Sequence, residues 1–362
     1  MDSLTEGARN EKGFWTPEAT AKPGIIFQNS VKVREWLKAI FGIEGFVIIM
    51  LKLVAIAAIV WYFLTPSLEQ AATLRPGWIL LIYLRNVALL TFFAGRLHLR
   101  LYVRRAQGMK YKYTPEWQAT KDKKFMFGNQ AWDNMFFSLV SGCIFWTAYE
   151  VLFLWGWANG IFPRLHFTAN GVVNVRNIVI VAAVLFLGVL WYMQAHFYLT
   201  HRVIHWKPLF RISHHVHHRN TSPGPWSGLS MHPIEHLIYF SDSAIFLLIP
   251  MHPLVVYFIL LLRAIGPAGG HAGYHAFVRE SRDGKEKPTG GVIPFWPKGG
   301  DYMHELHHRY YTVNFGNLGF PLDKLLNTFH DGSPESHQEM LDRRKAKAKR
   351  ARRRKRAVAL EE

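Results

Sequence analysis

Four apolar blocks, roughly 41–64, 78–95, 133–157 and 176–199, dominate this chain of 362 residues. A helix crossing the hydrocarbon layer takes about 20 residues, and each block is near that length. In lipid every backbone N–H and C=O must be satisfied within the chain, so such blocks can only be helices. A fifth apolar stretch, 237–263, is interrupted by IPMHP at 249–253. Two prolines there predict a broken or re-entrant hairpin rather than a straight span. The expected fold is all-α: an integral membrane helical bundle of about four transmembrane helices plus that hairpin, under a cytoplasmic helical cap. Its expected parts are an N-terminal segment (1–40), the transmembrane helices (41–199), a histidine-rich region that includes the hairpin (200–332) and a basic tail (333–362).

Basic residues in the loops set the orientation. The loop 96–124 holds nine Lys/Arg and two acids, whereas 65–77 and 158–175 hold one Arg each. The first loop is expected inside and the other two outside. Lys32, Arg34 and Lys38 place the N-terminus inside as well. Four spans then return the chain to the cytoplasm near residue 200. The opening MDSLTEGARNEKGFW lacks the basic-then-apolar pattern of a cleaved signal peptide. The expected location is therefore multi-pass in a bacterial inner membrane or the endoplasmic reticulum, with both termini and the active site cytoplasmic. Net charge is +18, and residues 341–362 carry eleven Lys/Arg against three acids. In a membrane protein that run reads as a solvated tail beside anionic lipid rather than a nucleic-acid arm, so no nucleic-acid partner is expected. The single cysteine, Cys143, excludes an internal disulfide. Lys52, Arg85 and Glu150 fall inside spans, where charge is costly and usually paired or near an interface.

Fifteen of the nineteen histidines fall between 196 and 308. Residues three and four apart share a helix face. His201 and His205 in HRVIH therefore point together, as do His214, His217 and His218 in HHVHH. His271 and His275 in HAGYH share the same spacing, and His304, His307 and His308 in HELHH repeat it. Ten imidazoles in four groups can meet if the helices pack together, and clustered imidazole suits Fe, Zn, Cu or Ni. HELHH also fits the zinc-protease pattern HExxH, and HPIEH (232–236) fits its inverted form. A membrane zinc metallohydrolase using 304–308 is thus one alternative, and a non-enzymatic metal-binding or transport protein is another. His215 points off its neighbours' face. His232 and His236 suit a structural or supporting role, and His252 sits at the hairpin tip.

Taken in order, HRVIH, HHVHH, MHPIEH, HAGYH and HELHH resemble the fatty acid hydroxylase/sterol desaturase superfamily of membrane histidine-box oxygenases. The likeness covers about 190–332 and includes NFGN (314–317) and LDKLLNT (322–328). The polar loop 279–301 departs from shorter members. The resemblance implies two iron ions, with O2 as co-substrate and zinc as a possible substituted metal. It implies ligands at His201, His205, His214, His217, His218, His275, His304, His307 and His308, with His271 completing the HAGYH pair. Glu235, His236, Asp301 and Glu305 are the expected supporting residues, and Asp242 is a further candidate. It implies hydroxylation or desaturation of a lipid or sterol C–H, with the metal centre itself as the catalytic group. No Rossmann glycine pattern or haem attachment motif is present, so electrons should come from a separate carrier protein, which the basic loop 96–124 could steer. If the fourth span stays helical to 205, Trp191, Gln194 and Tyr198 share a face with His201 and His205. That face is the expected substrate path from the bilayer.

Overall fold

The computed structural model describes residues 7–18, 32–34, 37, 41, 46–188, 191–280, 286–290, 300–317 and 321–361. Helix α1 (Phe46–Phe63) is apolar along its length. Helices α2 (Pro76–Val103) and α3 (Gln130–Ala158) are long and apolar enough to cross a membrane. The fourth expected span is a bent pair, α4 (Val175–Gly188) and α5 (Tyr192–Ile204), which meet at 41°. The junction, 189–190, lies outside the described residues.

The expected hairpin is present but unequal. Its first arm is α6 (Pro233–Tyr239), continued by a 3-10 turn, Phe240–Leu247. Pro250 and Pro253 break the chain, and the second arm is a full helix, α7 (Pro253–Gly270). This arm runs to 270, beyond the expected end at 263, and is itself long enough to span. It is also the buried centre of the bundle, packing against α1, α3 and the 3-10 turn. Both MHP triplets have one local cause. His232 Nδ1 accepts the N–H of Ile234, and His252 Nδ1 accepts the N–H of Leu254, each at 3.2 Å. Each histidine caps a helix whose first residue is proline, where a missing N–H costs nothing.

Pro267 sits inside α7 and leaves the carbonyl of Arg263 without its helical donor. Tyr239 Oη donates to that carbonyl at 3.0 Å. Two of the three charges expected within spans pair with each other, Arg85 with Glu150, and the neighbouring Asn86 donates to Thr147 Oγ1 at 3.1 Å. Three two-stranded antiparallel hairpins complete the described structure: β1–β2 (Gly7–Arg9 with Trp15–Pro17), β3–β4 (Thr168–Ala169 with Val172–Val173) and β5–β6 (Ala276–Glu280 with Glu286–Gly290). Helix α8 (Gly300–Tyr310) carries HELHH, α9 (Leu322–Leu325) follows, and the basic tail is one helix, α10 (Pro334–Glu361). Arg344 of α10 holds Thr312 Oγ1 at 3.1 Å, which ties the tail to the loop after α8.

Gly273 of HAGYH has φ +78, and a Cβ there would lie 2.4 Å from Tyr102 Oη and 2.8 Å from the Pro223 carbonyl. Gly273→Ala is expected to cost about 1–2 kcal/mol from the left-handed backbone alone, with the clash adding to it. A lower thermal unfolding midpoint checks this.

Candidate metal centre

Helix α5 presents His201, and His205 follows as its C-terminal cap. A short helical run over 207–218 turns back and presents His214, His217 and His218. His271 caps the end of α7, and α8 carries His304, His307 and His308. Nine imidazoles meet as two adjoining sets. One holds His201, His205, His214, His218 and His307; the other holds His217, His271, His304 and His308. In each set the ligand atoms lie within 4.8 Å of one another. Each HxxHH segment serves both sets. Its outer histidines, four apart, enter one set and its middle histidine enters the other. The rings of His218 and His308 join the sets at 4.9 Å between centroids.

The nitrogens that face inward are all Nε2. In the first set neighbouring pairs lie 3.0–3.2 Å apart. In the second they lie 2.7–3.2 Å apart. A metal about 2.1 Å from imidazole nitrogen puts right-angle neighbours about 3.0 Å apart and tetrahedral neighbours about 3.4 Å apart. Both sets match right-angle coordination, and five nitrogens exceed the four of a closed zinc site. The residues therefore fit two cations held almost wholly by nitrogen.

Ring orientation is set from behind. His201 Nδ1–H donates to the Phe315 carbonyl and His307 Nδ1–H to the Val313 carbonyl, both at 2.7 Å. His271 Nδ1–H donates to the Pro267 carbonyl at 3.0 Å, and His217 Nδ1–H to Ser230 at 3.4 Å. His214 Nδ1–H meets Glu235 Oε1 at 2.7 Å. A donating Nδ1 leaves Nε2 as a lone pair for a metal. The tail motifs supply the acceptors. Asp323 Oδ1 accepts the N–H of Phe315 and Oδ2 that of Gly316, and Asn314 donates to Met303 and His330 carbonyls. Burial keeps the rings neutral: His271 is pushed down to about 4, and His205 to about 2 with help from neighbouring rings. Burial pushes the Glu235 carboxyl up, whereas a cation beyond His214 would pull it back.

A cleft of roughly 670 Å³, open mouth included, reaches both sets. His201, His214, His217, His271 and His304 form one part of its wall, and Phe197, Ile204, Met231, Ile238 and Pro267 form an apolar part.

Several expectations need correction. His275 lies outside both sets. Its Nδ1 is 3.1 Å from Tyr113 Oη, and its ring packs on Trp15 at 4.8 Å. His271 takes the place expected of it. The residues of the expected substrate path do not line the cleft. Trp191 is 54% exposed, whereas Gln194 and Tyr198 are buried but do not line the cleft. Tyr198 Oη instead meets Thr328 Oγ1 at 3.0 Å. Phe197, Thr200 and Ile204 line the cleft in their place. Among the described supporting residues, only Glu235 has a hydrogen bond to a clustered histidine. His236 Nε2 donates to the Leu229 carbonyl at 3.1 Å, Glu305 meets Arg309 at 3.3 Å, and Asp242 meets Arg263 at 2.6 Å. The Asp301 side chain lies outside the described residues. His215 is exposed, as expected. Sequence reasoning missed the carbonyls of Phe315, Val313, Ser230 and Pro267, since every residue has one; the NFGN and LDKLLNT segments were the available signal.

Residues 185–328 match the family model described as fatty acid hydroxylase. The chain is 26% identical over 148 residues to a delta(7)-sterol-C5(6)-desaturase of Nicotiana tabacum, covering 40% of this chain and 48% of that one. It is 28% identical over 139 residues to methylsterol monooxygenase erg25B of Aspergillus fumigatus, covering 36% and 43%. It is 31% identical over 140 residues to the very-long-chain aldehyde decarbonylase GL1-8 of Oryza sativa subsp. indica, covering 38% and 47%. The chain spans about half the length of the curated relatives it matches. No solved structure matches it.

His271→Ala is expected to lower bound metal measured by elemental analysis, and His275→Ala to leave it unchanged. Burial also makes the site acid-sensitive. The folded rings bind protons less readily than the unfolded chain, whose histidines titrate near 6.5, so stability falls as pH drops through about 6.5 towards about 4. Unfolding midpoints should be flat above neutrality and fall across that window.

Proposed function

Because residues 185–328 belong to the fatty acid hydroxylase/sterol desaturase superfamily, we propose that this chain is an O2-dependent membrane oxygenase that hydroxylates or desaturates a lipid or sterol. The observation that carries the reading is the convergence of nine imidazoles in two adjoining sets, five of which, His201, His214, His217, His271 and His304, form part of the wall of an otherwise apolar cleft. Two irons held by these sets would supply O2 activation and the removal of hydrogen from an unactivated C–H bond.

The chain's own residues do the positioning. Phe197, Ile204, Met231 and Ile238 shape an apolar slot that holds one carbon against His201, His214, His217, His271 and His304 and keeps water away. The carbonyls of Phe315, Val313, Ser230 and Pro267, with Glu235, keep five rings in one tautomer and one orientation. Electrons come from a separate one-electron carrier protein, drawn by the basic surface of 96–124 and α10. The cap and both termini face the cytoplasm, as the loop charges favour.

Two observations weigh against the alternatives. A zinc hydrolase using HELHH needs Glu305 as a base at the metal, yet Glu305 is buried against Arg309. A transporter places its ligands near mid-membrane, yet His201 lies in the last turn of α5 and His271 just past the end of α7.

Protein purified anaerobically is expected to hold about two irons per chain. With a reducing system and O2 it should convert a membrane lipid to a product with one more hydroxyl or double bond, and chelation should abolish this. Zinc-only protein that hydrolyses lipid without O2 would overturn the reading.

A further inference from the structure

A second, smaller apolar pocket, about 220 Å³ with its open mouth included, lies along the same two helices as the cleft. Val255 and Ile259 of α7 line it, together with Tyr192 and Met193 of α5 and Phe246. Along α7 and its cap, residues 255, 259, 263, 267 and 271 are four apart, each about 6 Å further along the axis and about 40° further round it than the last. Their order is informative. Val255 and Ile259 face the second cavity, Pro267 and His271 face the cleft, and Arg263 stands between them. On α5 the matching series runs from Met193 at the second cavity through Phe197 at the cleft to His201.

Arg263 is buried inside a span-length helix, a costly place for a charge. Its Nε donates to Asp242 Oδ2 at 2.6 Å and its Nη2 to the Met193 carbonyl at 2.9 Å. Its guanidinium lies 5.4 Å from the ring centres of both Phe197 and Tyr239, which line the cleft. Tyr192, which lines the second cavity, donates to the Asp242 carbonyl at 2.9 Å. The ion pair therefore touches the walls of both cavities.

We propose that the Arg263–Asp242 pair is a partition that sets how far an apolar lipid chain can extend from the metal centre, by separating the cleft from the apolar pocket behind it. This rests on the reading of the cleft as a lipid site. Arg263 and Asp242 are specificity-determining residues here, acting through the length of chain admitted.

The test uses the full chain in detergent and a homologous series of saturated n-alkanols competing with a fluorescent lipid. Affinity should rise about fourfold per methylene, the worth of a buried CH₂, and then stop at a fixed length. Replacing both charges together, Arg263→Leu with Asp242→Leu, avoids leaving one buried charge unpaired and should move the stop to longer chains. Adding Ile259→Phe to that variant should restore the original stop, whereas Ile259→Phe alone should leave the native stop where it is. A stop unmoved in the double variant, or shortened by Ile259→Phe alone, overturns the partition. A second measurement needs only native protein. An alkanol with a terminal diazirine, at the longest length that still gains affinity, should label Phe197, Tyr239 or Arg263; label on Val255 or Ile259 overturns the proposal. Neither experiment uses O2 or turnover. A sharp stop without product would sink the oxygenase reading alone, and product without a stop would sink the partition alone.

Discussion

The bonds from imidazole Nδ1–H to backbone carbonyls are the constraint from which the rest of the centre follows. Nine rings packed this closely cannot carry protons, because neighbouring positive charges in an apolar surround repel strongly. Neutral rings still need a partner for their one N–H. The carbonyls of Phe315, Val313, Ser230 and Pro267 take that hydrogen and leave the opposite nitrogen bare. For these four rings, and for His214 against Glu235, orientation and protonation are thus one property, set by where the acceptors stand.

Those carbonyls are held by parts of the fold that look unrelated to chemistry. Asp323 grips the N–H groups of Phe315 and Gly316, and so fixes the acceptor behind His201. Pro267 offers its own carbonyl to His271, and, lacking an N–H, it leaves the Arg263 carbonyl without a helical donor. Tyr239 supplies the missing donor from the cleft wall. The buried second arm of the hairpin is therefore both the core of the membrane bundle and the support of a ligand.

The apolar blocks and the three-and-four spacings of HHVHH and HELHH made the bundle and the histidine convergence legible before any coordinates. Helical spacing says which residues share a face, and that was enough to bring 214, 217 and 218 together. It does not say which of two neighbouring points each will reach, so the division into sets was hidden. The same rule misled at HAGYH. It assumes a helix through 271–275, but α7 ends at Gly270 and Gly273 turns the chain with a positive φ. His275 then follows the backbone towards Tyr111, whose carbonyl accepts its N–H at 2.8 Å. On α5 the error was one of rotation. Tyr198 packs against Phe315 and Thr328 of the NFGN and LDKLLNT segments, and the adjacent face, with Phe197, Thr200 and Ile204, lines the cleft.

The interleaving of the two histidine segments has a mechanical consequence. Because 207–218 and α8 each reach into both sets, neither set can be built, loosened or re-registered while the other stays as it is. A one-residue slip of either helix would misplace ligands on both sides at once. The two sites are geared together: a movement of either segment shifts imidazoles of both.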